Sequence, residues 1–250
     1  MTIFHVARLA NPFSLVVYIS LFLSFMMAGS LFSSTENPSD AVAWLLRPPP
    51  DSAKAELRLT SVDAQNRRFL STIKINYLRR QKIRLLTVAI TQRGQPEASF
   101  CFQSNKLGDY EPCGMQNFSR SDSKYANIPG TMLPWHVLIE RFFLQFEFFK
   151  KEITRDGLYD VFELVPAGQF SRNPAFKLHV HVSRETNLPE KMSHVNNLGR
   201  EIYSMDIHEI HRAGHGVVIV SSTYRDPQTG VRVLIEMRSA AADESNETQR

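Results

Sequence analysis

Apolar and polar residues alternate along most of this chain with a period of two. In "AELRLTSV", Leu57 and Leu59 share one face and polar side chains take the other. "RRFLSTIKINYLRR" and "KIRLLTVAITQRG" follow in the same manner, the pattern of a half-buried strand. The carboxy-terminal half repeats it in "GLYDVFELVPAG", "AFKLHVHVSRE", "LPEKMSHV", "REIYSMDIHEI", "GHGVVIVSSTY" and "GVRVLIEMRS". Between these lie "GQFSRNP", "TNLP", "NNLG", "HRAG" and "DPQTG", each rich in turn formers. In "ETNLPEKMSHVNNLGREIYSM" two such turns, at Asn187-Leu188-Pro189 and at Asn196 to Gly199, bracket one short strand. The spacing leaves no room for the long crossovers that parallel strands need. It predicts a mainly β fold, a single antiparallel meander.

Two stretches depart from that period. "DAVAWLLR" is a short helix candidate, capped by Ser39 or Asp40 and stopped by "RPPP". "PWHVLIERFF" places Pro134 at a helix start, with Trp135, Leu138, Ile139 and Phe142 at helical spacing. "FEFFKKE" then returns to strand. Phe142, Phe143, Phe146, Phe148 and Phe149 are more aromatic surface than one face of a helix or strand can hide. Either they form the packed core between helix and sheet, or part of them lines an apolar cavity for an acyl chain. The candidate cavity residues are Trp135, Leu138, Ile139, Phe142, Phe143, Phe146 and Phe148.

The amino terminus adds a compartment. "LVVYISLFLSFMMA" is an unbroken apolar run preceded by Arg8 and followed by Ala28, Gly29 and Ser30, which fits a secretory signal peptide. It can also be extended towards the length of a membrane anchor. Residues 1–30 are therefore a signal peptide or an anchor, 31–50 a linker with a short helix, 51–240 the β domain, and 241–250 a disordered tail. On either alternative the domain leaves the cytoplasm for the periplasm.

In that compartment disulfides persist. "FCFQSNKLGDYEPCGM" is centred on Leu107, and folding it there sets Cys101 across from Cys113, with Gly108 as the left-handed residue of a three-residue loop. The alternative is two unpaired buried thiols. Neither cysteine has the spacing of a zinc or redox motif.

Composition is that of a globular protein, with 43% hydrophobic and 22% charged residues. The net charge of +4 is scattered. The densest cluster, "LRRQKIR", is too short for a nucleic-acid stripe. It reads as a solvated strand face or, alternatively, a contact for anionic head groups. Nucleic acid is not an expected partner.

Catalytic chemistry finds little support. No G-x-S-x-G elbow is present, and Ser104, Ser193 and Ser204 sit in ordinary strand or turn contexts. The 11 glycines fall singly, without a phosphate loop. His179 and His181 share one face of "KLHVHV", turned away from Leu178, Val180 and Val182. His208, His211 and His215 span a strand end and a turn, so no rigid element presents three imidazoles to a metal. No enzyme activity, cofactor or metal is expected.

The stretches "PGTMLPWHVLIERFF", "RDGLYDVFELVPAG", "AFKLHVHVSRETNLPEKMSHVNNLGREIYSMDIHEI" and "GVVIVSSTYRDPQTGVRVLIEM" together resemble bacterial outer-membrane lipoprotein-sorting proteins. This is the LolA-like group, to which related sigma-factor regulators belong. The resemblance covers Gly130 to Met237, and Leu57 to Tyr110 by strand order. Where that group carries acidic residues near the helix start, this chain has "TMLPWHVL", with Met132 and His136, so no individual binding residue is carried over. The resemblance implies a single curved antiparallel sheet forming an incomplete, open barrel, with short helices over its concave face. It implies a periplasmic carrier for lipoprotein acyl chains or another amphiphile, acting as a monomer with an envelope protein as a possible partner. The alternative is a membrane-anchored sensory or scaffold domain of the same fold.

Overall fold

The computed structural model describes residues 39–47, 51–80, 83–104, 110–113, 126–167, 176–213 and 216–242. The leader within 1–30, the linker before Ser39 and the tail beyond Ala242 lie outside them, as do Gly108 and His215.

Every stretch of period-two alternation forms a strand. Helix α1 (Asp40–Leu46) precedes β1 (Ser52–Val62), β2 (Arg68–Arg80), β3 (Ile83–Gln92), β4 (Ala98–Ser104) and β5 (Tyr110–Pro112). Helix α2 (Trp135–Phe143) follows. Then come β6 (Phe146–Ile153), β7 (Tyr159–Pro166), β8 (Phe176–Ser183), β9 (Pro189–Asn196), β10 (Glu201–Ala213), β11 (Gly216–Arg225) and β12 (Arg232–Ala242). In β2, Ser71, Ile73, Ile75 and Tyr77 are buried while Lys74 and Asn76 are exposed. That is the alternation a sheet with one covered face requires. The run "LRRQKIR" is divided: Leu78–Arg80 ends β2, and Arg84 at the start of β3 turns towards α2.

Tight turns join the strands. At the β9–β10 corner Gly199 has φ +74°, a left-handed conformation that glycine takes without a Cβ clash. Asn196 Oδ1 accepts from the amides of Leu198 (2.9 Å) and Arg200 (3.0 Å), holding that corner.

The strands form one antiparallel sheet in the order β5-β4-β3-β2-β1-β12-β11-β10-β9-β8-β7-β6. Its two edges, β5 and β6, are neighbours in sequence, so the segment between them carries α2 from one edge to the other. Strand spacing fixes the curvature. From β5 to β10 a flat sheet would span about 34 Å at the usual 4.8 Å per strand. Yet α2 touches both strands. Phe143 packs on Tyr110 of β5 at 5.2 Å between ring centroids, and His136 packs on Tyr203 of β10 at 5.3 Å. Those two positions are only about 10 Å apart along a helix. The sheet therefore curls around α2 and stops short of closing, an incomplete barrel.

Cys101 and Cys113 are joined, with Cα atoms 5.2 Å apart. The β4–β5 register pairs Phe102 with Pro112 and Ser104 with Tyr110, so the two cysteines lie opposite each other at the next position. The Cys113 amide donates to the Cys101 carbonyl at 2.9 Å.

Candidate functional site

Two apolar clusters fill the concave face. The first joins β1–β5 and β10–β12 to α2. Trp135 is fully buried with its ring 5.0 Å from both Phe100 and Phe102. Ile139, Leu138 and Phe143 are buried beside it, and half-buried Phe142 lies 5.2 Å from Tyr77. Both ends of α2 are tied to the sheet. Ahead of it, the Met132 amide donates to Ser61 Oγ (3.1 Å), Ser71 Oγ donates to the Gly130 carbonyl (3.1 Å), and Gln92 Nε2 donates to the Pro129 carbonyl (2.6 Å). Gly130 has φ +67°, a left-handed conformation that favours glycine, and a Cβ there would displace the Gln92 amide group. At its other end Arg84 Nη1 donates to the Phe143 carbonyl (2.6 Å), placing a cation at a helix C-terminus.

The second cluster is smaller. Ala41, Val42 and Leu45 of α1 pack against Phe146, Phe162, Leu164, Leu178, Val180 and Val182. Phe148 leans on Phe162 at 6.4 Å. Ser39 occupies the N-cap position of α1, but its side chain makes no capping hydrogen bond.

Where the two clusters meet, a cavity of about 70 Å³ remains, lined by Leu45, Val137, Phe146, Leu178, Met192, His194, Tyr203 and Met205. Each helix contributes one wall residue, α1 through Leu45 and α2 through Val137. An apolar cavity of about 150 Å³ holds one benzene. At about 70 Å³ this space is smaller than that. The floor is an aromatic ladder across adjacent strands. Phe176 stacks on His194 at 4.7 Å, His194 on Tyr203 at 4.2 Å, and Tyr203 meets Tyr224 at 5.5 Å. Burial, helped by the nearby His136, pulls the His194 pKa down to about 3, so the ring is neutral at physiological pH. Burial likewise pushes the Tyr224 phenol upward. No charge from these rings opposes an apolar guest.

The seven residues expected from the sequence divide between the clusters. Trp135, Leu138, Ile139, Phe142 and Phe143 belong to the first, and Phe146 and Phe148 to the second. Of these, Phe146 lines the cavity. Its other wall residues, Leu45, Val137, Leu178, Met192, His194, Tyr203 and Met205, are not among those seven. A signal did exist for His194, which lies in phase with Met192 on β9 and so points to the same face.

The outward face carries a different chemistry. Glu163 is buried there against Lys177 (2.9 Å) and His179 (2.8 Å). Although burial alone would raise it, those hydrogen bonds hold its pKa below the usual value. His208 pairs with Thr223 (2.7 Å) and His211 with Glu209 (3.1 Å), so the two imidazoles serve separate partners. Among the described residues no group of three His, Cys, Asp or Glu side chains is placed to hold one metal ion.

No family model and no curated protein matches this sequence. Among solved structures, it is similar to a domain named as an outer membrane lipoprotein-sorting protein domain from Vibrio parahaemolyticus. That match has a TM-score of 0.50 and 14% identity, and covers 84% of this chain and 94% of that one. A DUF1329 family protein from Desulfovibrio piger follows at TM-score 0.49 and 10% identity, over 78% and 87% of the two chains. A LolA superfamily protein from Nitrosomonas europaea has a TM-score of 0.46 and 11% identity, over 83% and 95%. The fold is like that of the lipoprotein-sorting domain: an open antiparallel sheet with, among the described residues, two short helices on its concave side. At these identities the likeness is one of fold.

Proposed function

We propose that this protein is a non-enzymatic periplasmic binding protein that carries an acyl chain, of a lipoprotein or another amphiphile, beneath its cover helices. The observation that carries this reading is the uncharged apolar cavity at the junction of two separately anchored covers. The leader within residues 1–30 would deliver the domain across the inner membrane.

Magnitudes favour α1 as the cover that yields. Uncovering Ala41, Val42 and Leu45 costs about 5 kcal/mol at the usual value of a buried aliphatic side chain. Each methylene that takes their place returns about 0.8 kcal/mol. Roughly six methylenes therefore balance the exchange. Lifting α2 would expose Trp135, Leu138, Ile139 and Phe143 and break the ties at both its ends, at more than twice that cost.

The test is to isolate the protein from the envelope under native conditions and identify bound molecules by mass spectrometry. A fluorescent fatty acid added to the purified chain gives a second readout. Co-purifying acylated molecules and saturable probe binding, weakened by Leu178→Asp, are expected. Absence of bound amphiphile together with no saturable probe binding would end the carrier reading.

A further inference from the structure

One end of the sheet combines exposed aliphatic side chains with arginines that lack carboxylate partners. On the outward face there, Val62 of β1 lies opposite Arg68 of β2 on one side and Arg232 of β12 on the other. Arg232 in turn lies opposite Arg225 of β11. Directly opposed residues share a face, and like charges so placed repel. Their chain neighbours Val233 and Tyr224 are core residues, so this row points away from the core. The turns at the same end add exposed Arg93 and Arg200.

The acids nearby are engaged except in the β3–β4 turn, where Glu97, close in sequence to Arg93, accepts only from Thr91 Oγ1 (3.4 Å). Asp63 holds Arg67 and two turn amides, and Asp226 holds its own turn. Glu201 takes Lys191, and Asp206 takes Arg225. Among the described residues, Arg68, Arg93, Arg200 and Arg232 have no carboxylate partner. Around them Leu198 stands 78% exposed at its turn tip, with Leu70 at 51%, Phe69 at 38% and Ile202 at 37%. Cations interleaved with protruding aliphatics suit a surface that is anionic outside and apolar just beneath. This is also the end nearest the cavity, because His194 precedes the Asn196 turn by two residues, about 7 Å along a strand.

From this arrangement we infer that the end of the sheet carrying Arg68, Arg232, Arg200 and Leu198 docks onto the surface of an anionic lipid bilayer. Leu198 and Leu70 enter the head-group boundary, and the arginines pair with lipid phosphates. The inference extends the carrier reading to the place of exchange, while its test involves no cargo.

Sedimentation of the purified chain with vesicles decides it. Apolar segments bind neutral and anionic vesicles alike, so the readout is the ratio between phosphatidylcholine vesicles and vesicles containing equal parts phosphatidylcholine and phosphatidylglycerol. The wild-type chain should favour the anionic vesicles. Arg68→Gln with Arg232→Gln should cut that preference about thirtyfold. Arg79→Gln with Arg80→Gln removes the same charge at the opposite end and should leave the preference intact. Leu198→Ser should weaken binding to both vesicles. Equal partition of the wild-type chain overturns the inference, and so does equal loss from the two charge-matched pairs, since net charge alone would then be read. Fluorescent fatty-acid binding by the same variants is scored separately, so a chain that docks without carrying, or carries without docking, is recognised.

Discussion

The two cover helices of the concave face are secured in different ways. α2 is pinned by hydrogen bonds ahead of it, one to Ser61 and others from Ser71 and Gln92, and by one from Arg84 at its last turn. Its Trp135 is wedged between two phenylalanines. α1 has seven residues, three of them buried, and no side-chain cap. A helix that short has no stability of its own and persists only through its packing. The two are thus held separately, α2 by side-chain hydrogen bonds at both its ends and α1 by packing alone.

The largest effect should come from testing that separation directly. Trp135→Ala removes the wedge and should cost about 4 kcal/mol of stability in denaturant unfolding. Leu45→Ala should cost no more than about 2 kcal/mol, because its side chain already borders a cavity. It should also hasten uptake of a fluorescent fatty acid. Equal losses for the two variants would mean that the covers are not different in kind.

A second break concerns the hairpin that holds α2. Tyr110 of β5 packs on Phe143, and β5 is only three residues long, secured to β4 by the Cys101–Cys113 bridge. Closing so short a loop contributes about 3 kcal/mol on the chain-entropy account. Cys101→Ser with Cys113→Ser should lower the melting temperature and speed amide exchange in α2, leaving α1 as it was. Unchanged melting would show that β5 needs no staple.

The same comparison explains what the sequence made legible. Nine strands follow from period-two alternation, since burial of one face imposes that period residue by residue, while the cysteine hairpin marks β4 and β5 and "FEFFKKE" marks β6. The cysteine register followed from symmetry about Leu107, a local constraint of one hairpin. Of the seven candidates from Trp135 to Phe148, five sit in the cluster that α2 anchors and one, Phe146, lines the cavity. What anchors it, Ser61, Ser71, Gln92 and Arg84, lies on strands far away in sequence and leaves no pattern beside the helix. α1 was readable as a helix, but "DAVAWLL" is apolar at almost every position, so no period reveals which face it buries. The cavity draws walls from both helices and four strands. No single stretch could announce it.

The smallest effect is a titration at the junction itself. His194 has a folded-state pKa of about 3 against an ordinary value of 6.5, lowered first by burial and then by His136. Below pH 6.5 the unfolded chain therefore binds a proton that the folded chain refuses. Stability is complete above that pH and falls as pH drops, by about 1.4 kcal/mol per unit until the folded pKa is reached. Glu163 also loses its contribution in acid, but its pKa lies below 4.5, so its loss begins at lower pH. His181, whose pKa burial and Lys191 also lower, shares the window above Glu163, so the substitution is what separates His194 from it. His194→Phe keeps a flat ring between Phe176 and Tyr203 and should lessen the fall in unfolding free energy between pH 6.5 and 4.5. A slope unchanged by the substitution would assign the acid sensitivity to His181 and the outward ion pairs and leave the cavity floor indifferent to pH.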